Sequence, residues 1–279
     1  MNNPSFSFNI WNDFIHMLGY DFMLHAFCAG TIVAIVAGII GYFVVIRRSS
    51  FAAHALSHIG FTGAAGSVLL GLSPLSGLLT FTVGGGIFMA TLDRESENRD
   101  VQVGTVLAFL LGLGVLFISL YSGYATEAYS LLFGEILGIS SQNVFITLIA
   151  GILILCVTAI IYRPLLFTSL DQDVAEARGV PVRMINIIFM ILLAAAVSIS
   201  VQVVGVLLIF ALLVTPAAIA QYIARSPMQG IGLSVAISLL VTWFGLFISF
   251  YQPYPVSFFI TAAVFALYIF VRIIHAIKA

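Results

Sequence analysis

Two imidazoles, His54 and His58, stand four residues apart in the segment Phe51-Ala-Ala-His54-Ala-Leu-Ser57-His58-Ile-Gly60. On an α-helix an i, i+4 pair stacks on one face with Cβ atoms about 6 Å apart, near enough for both rings to bind one transition-metal ion. The flanking residues are apolar, and ionisable groups in apolar membrane surroundings are costly enough to mark ion or proton routes. A second i, i+4 pair, Asp21 and His25, opens the preceding apolar run, with Asp13 and His16 nearby, and Glu135 lies in a glycine-interrupted stretch further on. Each has a structural reading as well. Asp21 suits the first turn of a helix, where it faces the positive end of the dipole. His25 suits a membrane interface, and Glu135 a solvated surface. His58 can bond a backbone carbonyl between helices, and His54 can reach the interface. Ser57, between the histidines, suits close packing.

The elements that must hold these residues are membrane helices. Of 279 residues, 62% are hydrophobic and only 8% charged. That composition, with long apolar runs joined by short polar segments, specifies an all-α membrane protein, a polytopic helical bundle. Runs long enough to cross a bilayer lie near 23–46, 51–72, 74–92, 101–121, 142–162, 184–201, 203–224, 228–250 and 254–276. This predicts nine transmembrane helices, or eight if one only half-crosses. With the N-terminus outside and nine crossings, all ten Lys and Arg residues fall on the cytoplasmic side, as the positive-inside rule expects. Arg183 and Arg225 must then share a side, so the apolar block between them crosses twice, with a joint near 200–204.

Residues 1–22, with Phe6, Phe8, Trp11 and Phe14, read as an N-terminal interfacial segment. They carry no basic residue before the first apolar stretch and are expected to be retained. Residues 23–279 read as a single transmembrane domain. Gly123 to Ser140 is too short and interrupted to span, and is expected to form an outer, partly re-entrant helix. Cys28 and Cys156 fall inside apolar runs and read as small buried hydrophobes. The longest polar interior stretch, Arg163 to Arg183, is too short to fold alone, so any energy source is another chain or an ion gradient.

That stretch contains Thr168-Ser169-Leu170-Asp171-Gln-Asp173-Val-Ala-Glu176-Ala-Arg178-Gly179-Val-Pro181. It reads as a short cytoplasmic helix with Ser169 or Asp171 as its cap, Asp173 and Glu176 early, Arg178 late, Gly179 at the stop and Pro181 beyond. A solvated connector needs this polarity, and so does a handle gripped by a motor subunit.

Several motifs agree with one family. Phe43-Val-Val-Ile46-Arg47, Ser50-Phe51 and His54-Ala-Leu-Ser57-His58 resemble the signature of the zinc/manganese/iron ABC importer permeases, the ABC-3 family. Leu131-Leu-Phe-Gly134, Leu166-Phe-Thr168-Ser-Leu-Asp171, Gly179-Val-Pro181-Val182 and Val204-Gly205 through Val214-Thr215-Pro216-Ala217-Ala218 are similar to it in the same order. The resemblance implies a permease domain whose Thr168 to Val182 region is a coupling helix, with Asp171, Asp173, Glu176, Arg178 and Gly179 facing the ATPase. It implies two cytoplasmic ATP-binding subunits, an extracytoplasmic metal-binding protein, a second permease copy as a homodimer, and a bacterial plasma membrane. The transported ion would be Zn2+ or Mn2+, and ATP would be used by the partner. In keeping with this, no Gly-x-x-x-x-Gly-Lys-Ser/Thr segment occurs. The chain is expected to be no enzyme itself and to bind no nucleic acid.

One departure stands out. The family motif commonly reads Gly-Asp-Ala-Leu-Ser-His, whereas this chain has Ala53-His54-Ala-Leu-Ser57-His58. His58 carries over, and an imidazole replaces the carboxylate at position 54. Imidazole suits zinc and oxygen ligands suit manganese, so zinc is favoured. The rival expectations are an ABC permease for a chelated metal, siderophore or vitamin, which needs a wider cavity, and a proton-coupled carrier using the histidines as proton relays. A membrane scaffold without transport is a third. Pro216 interrupts a strongly apolar helix and marks a kink, fixed or moving.

Overall fold

In a bilayer every backbone N–H and C=O must be bonded internally, which leaves helices as the outcome for runs this apolar. The computed structural model describes residues 15–91, 99–120, 134, 136–252 and 254–278, and among them it is all-helical with no strand. Nine long helices appear: α1 (Asp21–Ile46), α2 (Ser50–Leu69), α3 (Pro74–Thr91), α4 (Arg99–Leu120), α5 (Ser141–Ile160), α8 (Val182–Val204), α9 (Val206–Ile223), α10 (Pro227–Tyr251) and α11 (Val256–Lys278). Two short helices, α6 (Tyr162–Leu170) and α7 (Gln172–Ala177), join α5 to α8.

Eight of the nine are apolar enough to cross a membrane by length and hydropathy alone. The exception is α2, which carries His54 and His58 and is rich in Gly, Ala, Ser and Thr. It is nonetheless 20 residues long with 14 of them buried, because α3, α4, α8 and α9 pack around it. The ambiguity between eight and nine spans therefore sits on the histidine helix, whose neighbours screen it from lipid. Most enclosed is α8, with 72% of its apolar stretch buried, against 11% for α11 and 17% for α4 at the periphery.

Small residues bring the backbones together, as membrane packing requires. A Cβ added at Gly41 of α1 would fall on the carbonyl oxygen of Leu213 in α9, and one added at Gly63 of α2 would fall on that of Gly77 in α3. Hydroxyls bridge the buried layers: Thr82 of α3 and Ser198 of α8 are 2.6 Å apart, and Ser234 of α10 donates to the Gly38 carbonyl at 2.8 Å.

The apolar block between Arg183 and Arg225 divides into two helices each long and apolar enough to cross, α8 and α9. Its joint is Gly205 (φ 83°), just past the expected 200–204, a left-handed position that suits a residue with no Cβ. Gly134 (φ 75°) presses on the backbone at Val204 and Gly205. The turn Ile136–Gly138 that follows packs against α1. Most of the expected re-entrant element, residues 121–133 and Glu135, lies outside the described residues, as do residues 1–14 of the expected interfacial segment. Pro216 sits inside α9 and is buried, with the helix continuing through it.

Candidate metal pathway

His54 lies one turn into α2, and His58 two turns. At 1.5 Å per residue they stand about 6 and 12 Å from the start of the helix. Their ring centroids are 4.6 Å apart with planes at 80°. His54 also meets the ring of Phe210 on α9 edge-on at 4.9 Å. Both imidazoles are half-buried. Nδ1 of His54 is buried and has no hydrogen-bond partner among the described residues. A protein-held imidazole ordinarily places its nitrogens on a carbonyl, a carboxylate or water, and none of the described side chains or backbone groups serves Nδ1 of His54.

The backbone beneath the rings is held firmly. The Ser57 hydroxyl, buried, donates to the His54 carbonyl at 2.7 Å, and Thr62 donates to the Leu110 carbonyl of α4 at 2.6 Å. Ser57 is thus turned back into its own helix, which accords with its packing role. Phe210 was not visible as a site residue from the sequence. It lies more than 150 positions from His54, and a phenylalanine in an apolar run carries no local signal.

Among the described residues no group of three or more His, Cys, Asp and Glu side chains converges. The described carboxylates, Asp21, Asp100, Asp171, Asp173 and Glu176, all lie at helix starts or in α7. The two imidazoles therefore stand together without a described carboxylate beside them. Asp21 is exposed and His25 half-buried at the other end of α1, where they remain an isolated i, i+4 pair. His16 rests edge-on against Tyr20 at 5.5 Å, and His275 lies 5.2 Å from Tyr222 at the far end of the bundle. Cys28 and Cys156 are free thiols and, contrary to the sequence expectation, exposed, because they point away from the enclosed sides of α1 and α5.

The polar connector takes a different form from a single helix over 168–182. Thr168 and Ser169 close α6, Asp171 caps the six-residue α7 by accepting from the Val174 N–H at 3.0 Å, and Gly179 (φ 80°) ends the segment before Pro181. Asp171 is thus the cap, and Ser169 belongs to the preceding helix. Asp171, Asp173, Glu176, Arg178 and Gly179 are all exposed.

Residues 19–275 match the profile of the ABC 3 transport family. The chain belongs to that family. It is a membrane permease subunit and not an enzyme. Over 251 residues it is 32% identical to the manganese import system permease protein ScaB of Streptococcus parasanguinis, covering 89% of each chain. Over 235 residues it is 31% identical to the manganese transport system membrane protein MntC of Listeria innocua, covering 84% of each. Among solved structures it resembles PsaBC from Streptococcus pneumoniae in complex with Fab, with a TM-score of 0.84, 30% identity, and 94% of this chain and 95% of that one covered. This family member carries its two half-buried imidazoles on one face of α2, against Phe210 of α9.

Proposed function

We propose that this chain is the transmembrane permease of an ATP-driven importer of divalent transition-metal ions, with His54 and His58 lining the route and zinc carried in preference to manganese. The observation that carries this reading is the pair of imidazoles 4.6 Å apart, one with a bare nitrogen, on the least apolar and well-screened helix of the bundle. Neutral imidazole is a good zinc ligand and a poorer one for manganese. Two of them leave open positions on a four-coordinate ion for water or an exchanging ligand, as transit demands.

Manganese is the second reading, favoured by the names of the relatives at 31–32% identity. Against it stands the imidazole at position 54. A permease for chelates or vitamins has no use for the two paired rings, and proton coupling is disfavoured by spans whose described acids all lie at helix starts.

In this reading the N-terminus is outside and the C-terminus cytoplasmic. Arg47, Arg163, Arg183 and Arg225 then lie on the inner side, and Asp21 and His25 at the outer mouth, with Glu135 as a further acid there. Two copies form a homodimer on two ATP-binding subunits in a bacterial plasma membrane, fed by an extracytoplasmic metal-binding protein. The exposed acids of α7, with Arg178 and Gly179, form the handle that the ATPase grips. The test is uptake of radioactive zinc and manganese into proteoliposomes holding the whole complex, wild type against His58→Ala. Uptake should fall at least tenfold with assembly unchanged. Wild-type uptake by His58→Ala at equal reconstitution would overturn the pathway.

A further inference from the structure

Arg47 follows α1 directly, and its side chain is only 6% exposed. A buried guanidinium is expensive, so its partners define why it is there. Nη1 donates to the hydroxyls of Thr168 and Ser169, each at 3.1 Å. Nη2 donates to Oδ1 of Asn186 on α8 at 3.2 Å, and the guanidinium lies 4.8 Å over the ring of Phe189 on the same helix. Asn186 in turn donates to the Ala90 carbonyl near the end of α3 at 3.2 Å. One side chain therefore ties together α1, the elbow between α6 and α7, α8 and, through Asn186, α3. The elbow end of this network is two residues from Asp171, the cap of α7.

The backbone of Arg47 is equally constrained. Its N–H donates to the Phe43 carbonyl at 2.9 Å, closing α1. Arg48 adopts φ 52°, unfavourable for a residue with a Cβ and kept only where its surroundings enforce it. Ser49, buried, donates its hydroxyl to the Arg47 carbonyl at 3.2 Å and its N–H to the Val44 carbonyl at 2.9 Å, and its own carbonyl accepts the first bond of α2 from Ala53 at 3.0 Å. These bonds tie the three-residue turn to the end of α1 and the start of α2. A displacement of Thr168 and Ser169 is passed through the guanidinium to the turn and on to α2, where His54 stands one turn away.

We infer that Arg47 is the positioning residue that couples the elbow before α7 to the histidine-bearing helix. The inference rests on the importer reading, in which α7 is the ATPase handle. Lysine keeps the charge but loses the planar fork that serves three acceptors at once. Thr168→Val removes one acceptor at similar volume and leaves Arg47 in place.

The experiment compares wild type, Arg47→Lys and Thr168→Val in reconstituted complexes with the ATPase and binding protein, measuring zinc and manganese moved per ATP hydrolysed. The expected result is intact assembly and continuing hydrolysis, with metal moved per ATP down at least tenfold in Arg47→Lys and about threefold in Thr168→Val, following the loss of fork geometry. Stimulation of hydrolysis by the metal-loaded binding protein should be lost in parallel. An unchanged metal-to-ATP ratio in both variants overturns the inference while leaving the importer reading intact. Failure of both variants to assemble also overturns it, by assigning the network to folding. A wild-type permease that binds no ATPase overturns the importer reading itself.

Discussion

His54→Asp is the perturbation that most sharply tests which ion the route accepts. It introduces the carboxylate that the family motif commonly carries at this place, one turn from His58. With the two rings 4.6 Å apart, an ion bound by His58 lies within reach of the new group. At an effective dielectric constant near 20 and a separation of about 4 Å, the attraction between a dication and a carboxylate is about 8 kcal/mol. Burying the carboxylate takes back several kcal/mol, which leaves about 1–3 kcal/mol, or roughly 5- to 150-fold tighter holding of any dication. The two metals divide the gain unequally, because zinc loses a favoured imidazole while manganese gains a favoured oxygen. The zinc-to-manganese transport ratio should therefore fall about tenfold. Competitive uptake of the two radioactive ions by the reconstituted complex measures it directly. An unchanged ratio at equal amounts of assembled permease would refute the assignment of His54 to the route.

Asp171→Ala removes the cap on Val174, a bond of 3.0 Å in a helix of six residues, and should loosen α7 by about 1 kcal/mol. ATPase co-purification should weaken about fivefold, and equal recovery of the subunit would count against the capped helix as the handle. Gly41→Ala drives a Cβ into the Leu213 carbonyl, so α1 and α9 must part at a cost of about 1–3 kcal/mol. Thermal unfolding in detergent should show a lowered midpoint, and an unaltered one would mean the interface gives way freely. His58→Ala and Arg47→Lys separate the remaining roles. The first should lose transport at least tenfold with the complex whole, and the second should keep hydrolysing ATP while moving at least tenfold less metal per ATP.

The helices were legible because their signal is local. A run of some 20 apolar residues must become a spanning helix wherever it lies, since lipid leaves no other way to bond its backbone. The pairing of His54 with His58 was legible for the same reason, as helical spacing alone stacks i and i+4. Gly179 and Pro181 as stop signals belong here too, because φ and the missing N–H are properties of those residues themselves. The span count was ambiguous at α2 because its hydropathy is low for the very reason that neighbouring helices, not lipid, surround it.

What the sequence by itself determined was the set of long helices, their order and the presence of two imidazoles on one face of α2. The tertiary structure decided that Phe210 closes on His54, that Nδ1 is left bare, and that Cys28 and Cys156 point outward. It also decided that Arg47 reaches Thr168, Ser169 and Asn186. These contacts join residues more than 100 positions apart, and their cause is the packing of whole helices through small residues such as Gly41 and Gly63, which no local pattern encodes.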